Sequence, residues 1–151
     1  MPGNGDFQFG MIAEGAIGLV HGTESPTDEL WEQHFEAMFA AMGGRDSFVE
    51  IGYFVITAGG APNTRQRRFG NRIVRGRKMV RSIVTDSFLV RQLVTSWSWF
   101  APGMTAFAPN EMRQALLNAR VQQAELDSAW AKVRELNGKL AVPVPWVPDK
   151  I

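Results

Sequence analysis

The sequence contains no cysteine among its 151 residues. This absence excludes disulfides, thiolate catalysis and cysteine metal ligands, and it favours a reducing compartment such as the cytoplasm over a small secreted scaffold. Histidine is scarce too, because only His21 and His34 occur, and their spacing is not that of a metal-binding pair. We interpret both histidines as ordinary surface or edge residues, and we predict neither a metal site nor a cofactor.

Catalytic motifs are also missing. The phosphate-binding pattern GxxxxGK[ST] does not occur, and neither does the dinucleotide-binding pattern GxGxxG. Asp86 and Ser87 form a pair that resembles a catalytic constellation, but a helix cap accounts for both of them. No nucleophile with a base can be assembled from the sequence. We therefore expect a protein that is not an enzyme and has no catalytic residues.

Long hydrophobic runs are absent. No apolar stretch approaches the roughly 20 residues that span a membrane. The first ten residues, MPGNGDFQFG, lack the basic segment followed by an apolar one that typifies a secretory signal. These two absences predict neither membrane insertion nor secretion, and they favour a cytoplasmic location.

The first segment of the chain has few basic residues, and the second has few acidic ones. Residues 1–64 carry one basic residue against nine acidic ones, and residues 65–120 carry eleven against two, so their net charges are −8 and +9. Such a chain either neutralises itself within one fold or pairs head to tail with a second copy. The basic run 65–81 contains a single aromatic residue, Phe69, so the pattern does not favour nucleic acid as a partner.

The most informative stretch that is present covers residues 48–75. The apolar run 48–57, FVEIGYFVIT, predicts a buried strand; residues 58–62, AGGAP, predict a tight loop; and Asn63 or Thr64 is placed to cap a helix running to about Arg75. Three arginines follow in or near the first turn, where the helix dipole makes each cation cost a few tenths of a kcal/mol.

Two explanations for these arginines remain open. Acidic groups elsewhere in the fold can lie close to them, or the loop and the helix start can form a site for an anion or an acidic partner. The residues of that candidate site are Gly59, Gly60, Asn63, Thr64, Arg65 and Arg68.

The first part of the chain predicts a hairpin and a helix. Residues 7–13 and 16–21 have the pattern of short strands, and Glu14-Gly15 joins them. Ser25 or Thr27 can cap the next helix, which ends at Gly43-Gly44. Its predicted core face is Trp31, Phe35, Met38, Phe39 and Met42.

The basic helix is followed by a strand, a helix and another strand. The strands are predicted over residues 79–85 and 104–108, and Asp86 or Ser87 can cap the helix between them. This helix has a broad apolar face, so we expect it to lie deep against the sheet. The face consists of Leu89, Val90, Leu93, Val94, Trp97 and Phe100.

The C-terminal part predicts a helical arm and an extended tail. No glycine or proline occurs between Asn110 and Gly138, which permits one helix of up to about 27 residues, near 40 Å long. We expect its second half to project or to fold back, because a compact domain cannot cover that length. Three prolines make the ending, AVPVPWVPDKI, extended. Exposed apolar residues often mark an interface, so we predict assembly through Leu126, Trp130, Val133 and Trp146.

The order of these elements resembles the STAS domain, the module of anti-sigma-factor antagonists and related SpoIIAA-type regulators. Residues 79–117, MVRSIVTDSFLVRQLVTSWSWFAPGMTAFAPNEMRQALL, are similar to the closing pattern of that family: strand, capped helix, strand and helix. The resemblance implies an α/β fold over residues 1–120, with a mixed sheet of about five strands and four helices. The helical arm and proline-rich tail, residues 121–151, follow this domain.

The resemblance also implies a regulatory site. Classical STAS members carry a phosphorylatable Ser or Thr where the central strand turns into the next helix, in an Asp-Ser-Ser-Gly-like motif. The corresponding region here is TAGGAPNTRQRR, in which Thr64 is the nearest match. Phosphorylation of Thr64 is therefore one expectation, and a simple capping role for Thr64 is the alternative that we favour.

The function predicted from the sequence is a non-enzymatic regulatory or scaffolding module. We expect it to self-associate or to bind a protein partner through the arginine-rich helix, with the arm and tail as a second contact. The first alternative is a small-molecule or anion sensor that holds a nucleotide or phosphate at the loop from Gly59 to Thr64. A hydrophobic pocket of the lipid-carrier kind is a third interpretation.

Overall fold

The computed structural model describes residues 5–44, 50–74, 77, 79–98 and 103–151. Five strands form one mixed sheet in sequential order, so the predicted α/β class with a five-stranded mixed sheet is confirmed. The strands are β1 Phe7–Ala13, β2 Ala16–His21, β3 Gly52–Thr57, β4 Val80–Val84 and β5 Met104–Phe107. The helices are α1 Asp28–Met42, α2 Thr64–Ile73, α3 Phe88–Ser98, α4 Met112–Asn118 and α5 Leu126–Gly138.

The connections decide which face of the sheet each helix covers. β1 and β2 form the predicted antiparallel hairpin, and β2 to β5 are parallel. Each of the three crossovers steps one strand in the same direction across the sheet. Because such crossovers are right-handed, α1, α2 and α3 belong on one face. The loops that follow β2 and β3 meet at the carboxyl edge, where Gly60 N donates to Gly22 O at 2.8 Å.

The helix α1 lies against this first face as its apolar spacing predicts. Thr27 is its cap, because Thr27 Oγ1 accepts a hydrogen bond from Leu30 N at 3.2 Å, and Gly43 ends it in a left-handed conformation. Along β2 the side chains alternate between the faces, so Ile17 and Leu19 pack with α1. The rest of this core comes from β1, α1, the β3 region and the connection to β4: Phe7, Trp31, Phe35, Met38, Phe39, Met42, Ile51, Tyr53, Val74 and Met79.

The opposite face is covered by α4, α5 and the C-terminal tail. The predicted single helix of about 27 residues is wrong, because Arg120 has φ 70° and turns the chain between α4 and α5. A left-handed residue costs roughly 1–2 kcal/mol. Burial of Val121 next to it offsets that cost, whereas the ion pair between Arg120 Nη1 and Glu50 Oε2, at 2.6 Å, is half-exposed and contributes little. No glycine or proline marks this turn in the sequence.

Of the two alternatives for the second half of this segment, to project or to fold back, the structure shows the second. The helix α5 folds back over β1 and β2, which buries Leu126, Trp130 and Val133 in the core of this face. The tail closes the same core with Leu140 and Val144. Self-association through the predicted assembly residues stays a prediction, but the exposed stripe that motivated it is absent from α5.

The tail is held by polar contacts as well as by packing. Asn137 and Val144 exchange two hydrogen bonds: Asn137 Nδ2 donates to Val144 O at 3.2 Å and Val144 N donates to Asn137 Oδ1 at 2.8 Å. Trp130 Nε1 donates to Pro148 O at 3.0 Å. Trp146 is half-buried against the same core. The proline-rich ending therefore finds its groove on its own domain.

The prediction that the broad apolar face of α3 lies deep against the sheet is also wrong. Leu89 is 73% exposed and Leu93 is 51% exposed, whereas Val94 is buried. The reason is topological: α3 packs mainly on β5, the last strand of the sheet, and no described strand lies beyond β5 to cover the other side of the helix. Ser87 is the cap, since its Oγ accepts from Val90 N at 3.2 Å.

Some predicted features lie outside the described residues. Residues 48 and 49 of the third predicted strand, Arg75 at the end of the basic helix, and Phe100 belong to this group. The side chain of Trp97 also lies outside the described part of the chain.

Candidate functional site

Gln66 joins the starts of α1 and α2. Its side chain is buried, and Gln66 Nε2 donates to Pro26 O at 2.7 Å and to Asp28 Oδ1 at 2.9 Å. Its backbone carbonyl accepts a hydrogen bond from Trp31 Nε1 at 2.9 Å. These contacts fix the start of the basic helix on the start of the acidic one. Sequence reasoning missed Gln66, although its position three residues after Asn63 is the pattern of a capping box.

Asn63 is the cap of α2, and Thr64 is its first residue. Asn63 Oδ1 accepts from Gln66 N at 2.9 Å, and Gln66 Oε1 accepts from Asn63 N at 3.0 Å, so the capping box is complete. Of the two candidate caps, Asn63 is confirmed, and the capping role expected for Thr64 is wrong. Thr64 is exposed, and its Oγ1 accepts from Arg67 Nη2 at 3.1 Å.

Backbone N–H groups of the glycine loop after β3 are engaged in hydrogen bonds within the protein. Gly59 N donates to Thr57 Oγ1 at 3.0 Å, and Gly60 N donates to Gly22 O. A Cβ at Gly60 would overlap the carbonyl oxygen of Glu24, so this position requires glycine. Anion cradles depend on free backbone N–H groups. At Gly59, Gly60 and Asn63 these groups are occupied, so these three residues of the predicted anion site offer no free backbone donor.

A cleft of about 630 Å³ separates α1 from α2. We call it the α1/α2 cleft. It is lined by Asp28, Trp31, Glu32, Thr64, Arg65, Gln66, Arg68, Phe69 and Arg72. One wall is acidic because α1 belongs to the −8 segment, and the other is basic because α2 belongs to the +9 segment. The tertiary structure thus brings Thr64, Arg65 and Arg68 of the predicted site opposite two carboxylates.

The opposite charges of the two walls are only partly paired. Arg65 Nη1 lies 3.1 Å from Asp28 Oδ2, but both side chains are well exposed, so the ion pair contributes little to stability. Arg68 and Arg72 form no ion pair with any residue that the structure describes. The guanidinium of Arg72 lies 5.8 Å from the ring centroid of Phe69. The nearby carboxylate of Asp28 therefore accounts for Arg65, whereas Arg68 and Arg72 are available to pair with acidic groups of a partner.

The floor of the cleft rests on close contact between the helices. A Cβ at Gly70 would lie 2.8 Å from Phe35 Cζ, so only glycine lets α2 approach α1 this closely. Phe35 and Phe69 stack edge to face, with centroids 5.9 Å apart. Packing therefore holds both walls at a fixed separation, as a preformed binding surface requires.

Two buried histidines lie in the core that supports α1, so the interpretation of His21 and His34 as surface or edge residues is wrong. The ring of His34 packs 4.3 Å from Trp31 and 4.1 Å from Phe35, centroid to centroid. His21 packs 4.7 Å from Phe7. Neither Nδ1 atom has a hydrogen-bond partner among the described residues. No sequence signal distinguished these histidines from exposed ones.

Burial keeps both histidines neutral. Desolvation lowers the pKa of His21 to about 4 and that of His34 to about 3. Burial raises the pKa of Tyr53, whose hydroxyl donates to Met38 Sδ at 2.9 Å and lies 3.5 Å from His34 Nε2. Within the described ranges, no three His, Asp or Glu side chains are grouped to hold a metal ion.

Comparison of the chain with protein-family models, curated proteins and solved structures found no match. The STAS resemblance therefore stays a prediction. In the part of the chain that the structure describes, no helix has the length and apolar character needed to cross a bilayer. The α1/α2 cleft is the feature on which a functional proposal can rest.

Proposed function

We propose that the protein is a non-enzymatic regulatory or scaffolding module that acts through protein contacts around the α1/α2 cleft. One observation carries this proposal: Arg68 and Arg72 are exposed on a fixed helix and have no ion pair among the described residues. Exposed charges on a rigid helix favour recognition of a charged macromolecular surface, because the backbone is already ordered and only the side chains lose freedom on binding.

The exposed part of α3 supports protein contact as the mode of action. Phe88, Leu89 and Leu93 project large apolar surface into solvent. Contiguous apolar surface on a soluble domain commonly belongs to an interaction site. The crossover geometry puts α3 on the same face as α2, so a partner seated on the arginines would lie near it.

The resemblance to STAS regulators supports the same class of function. Thr64 is exposed at the start of α2, with Arg65, Arg67 and Arg68 in the following turn. A phosphate on Thr64 would add negative charge at the positive end of the helix dipole and beside these cations. Phosphorylation of Thr64 therefore remains part of the proposal as a switch of partner binding.

A charge-reversal experiment tests the proposed function. The bait is the full-length protein, and the variant carries Arg68→Glu and Arg72→Glu. Its matched control carries Lys132→Glu in α5 and Lys139→Glu directly after α5, which alters charge by the same amount on the opposite face. Proteins retained from a lysate of the source organism are identified, purified and titrated directly against all three forms.

The expected result is a purified partner that binds the unmodified protein and the α5 control alike. Its affinity for the α2 variant should fall at least tenfold, about 1.4 kcal/mol. Equal affinity for all three forms, or no protein that binds directly, a second copy of this chain included, would refute the proposed site.

A further inference from the structure

The exposed charges of α1 and α2 form two parallel rows of opposite sign. Both helices follow parallel strands, so they run in the same direction and begin at the same edge of the sheet. Glu29 and Glu32 are exposed on α1, and Arg68 and Arg72 are exposed on α2. From these rows we propose that the partner seated on the α1/α2 cleft is a second copy of this chain. This inference rests on the proposed function and names the partner.

Symmetry makes the two rows self-complementary. A two-fold axis parallel to the helices, placed above the cleft, carries α1 of one copy over α2 of the other. The same rotation carries α2 over α1, so one operation creates two identical acidic-to-basic contacts. An isologous dimer of this kind closes on itself.

The charge pattern distinguishes a second copy from other partners. A uniformly acidic partner, including nucleic acid, would face Glu29 and Glu32 as well as the arginines, and the like charges would oppose binding. A uniformly basic partner would meet the arginines with the same result. A surface that carries a basic row beside an acidic row satisfies both walls, and this chain carries such a surface.

Pairing within one copy does not remove the need for a partner. Across the cleft, Arg65 reaches Asp28, while Arg68 and Arg72 have no carboxylate partner in the described part of the chain. Glu29 accepts a hydrogen bond only from Gln33 Nε2, at 3.3 Å, among the contacts that involve described residues. The second copy would supply the missing counter-charges.

The dimer should be sensitive to salt. The contact consists mainly of exposed charges around a small aromatic floor, and exposed charges are screened within about 8 Å at physiological ionic strength. We therefore expect association that is strong at low salt and at least tenfold weaker at high salt. Sedimentation of the full-length protein at several concentrations measures this difference.

A charge swap tests the arrangement itself. The first variant carries Glu29→Lys and Glu32→Lys, so both of its rows are basic. The second carries Arg68→Glu and Arg72→Glu, so both of its rows are acidic. Each variant alone should be a monomer, because every contact in its dimer would be repulsive. Mixed in equal amounts, the two should form a heterodimer, because both contacts become attractive again.

Circular dichroism and melting curves establish that each variant is folded before mixing. The Lys132→Glu, Lys139→Glu protein should dimerise as the unmodified protein does. A heterodimer from the mixture, with monomers from each variant alone, supports the proposal, since a merely structural role for these residues cannot produce rescue. An unmodified protein that stays monomeric at low salt, or a mixture that stays monomeric, overturns it.

Failure of this inference can be separated from failure of the proposed function. If the chain is monomeric but the purified cellular partner still loses affinity for the Arg68→Glu, Arg72→Glu variant, only the identity of the partner is wrong. If that affinity is also unchanged, the proposed function is wrong as well.

Discussion

The two faces of the sheet are covered in different ways. The face under α4, α5 and the tail is filled by apolar side chains, and the tail closes its outer side. The face under α1 and α2 also has an apolar core, but it buries two neutral histidines and carries opposite charges on its outer surface. The first face is therefore a closed core, whereas the second carries exposed charges above its core, and the candidate site lies there.

A matched pair of leucine substitutions should give the largest effect. Leu126 in α5 is 2% exposed, and Leu89 in α3 is 73% exposed. Leu126→Ala should lower the free energy of unfolding by about 2–5 kcal/mol, because it removes apolar contacts and leaves a cavity. Leu89→Ala should change it by less than about 0.5 kcal/mol. Urea denaturation measures both, and equal losses would contradict the assignment of α5 to the core.

Acid should weaken the histidine-containing face. Because the folded-state pKa values of His21 and His34 are about 4 and 3, the unfolded chain binds protons first as pH falls below 6.5. The free energy of unfolding is therefore unaffected by these histidines above pH 6.5, and it falls as pH decreases from 6.5 to about 3–4. No carboxylate is among the groups that shift either pKa, and His21 opposes charging of His34.

A His34→Leu variant isolates this effect. Between pH 6.5 and 4, its free energy of unfolding should fall by roughly 3 kcal/mol less than that of the unmodified protein. This figure follows because a shift of one pKa unit corresponds to about 1.36 kcal/mol. Denaturant titrations at several pH values measure the difference. Parallel pH profiles for the two proteins would show that His34 is not buried as a neutral group.

The junction of α1 and α2 should contribute less than either core. Gln66→Ala removes the buried hydrogen bonds to Pro26 O and Asp28 Oδ1, and we expect a loss of about 1–3 kcal/mol. Asn63→Ala removes the cap and should cost about 1 kcal/mol. Thr64→Ala should change stability by less than either. A Thr64 variant less stable than the Asn63 variant would contradict the assignment of the cap.

The smallest expected effect concerns anions. Since the backbone donors of Gly59, Gly60 and Asn63 are occupied, phosphate or sulfate should raise Tm by no more than chloride does at matched ionic strength. Thermal melts measure the difference, and the Arg68→Glu, Arg72→Glu variant is the control. A phosphate-specific rise in Tm that this variant lacks would revive the anion-sensor alternative.

Local signals in the sequence determined the elements up to the last crossover. Hydrophobic periodicity and turn residues located the hairpin, the three crossover helices and the parallel strands, because these signals act over a few neighbouring residues. They also located the basic helix start and the charge asymmetry on which the candidate site depends. The αL turn at Arg120 was not predictable, since arginine has no intrinsic preference for that conformation.

Only the tertiary structure decided which apolar stripes are buried. The stripes of α3 and α5 look alike in sequence, yet α3 lies at the edge of the sheet and remains exposed, whereas α5 folds back over β1 and β2. The burial of His34 and the pairing of Arg65 with Asp28 likewise depend on which helix packs beside which strand. Burial and charge pairing are set by contacts between residues distant in the chain, and periodicity within one segment carries no information about them.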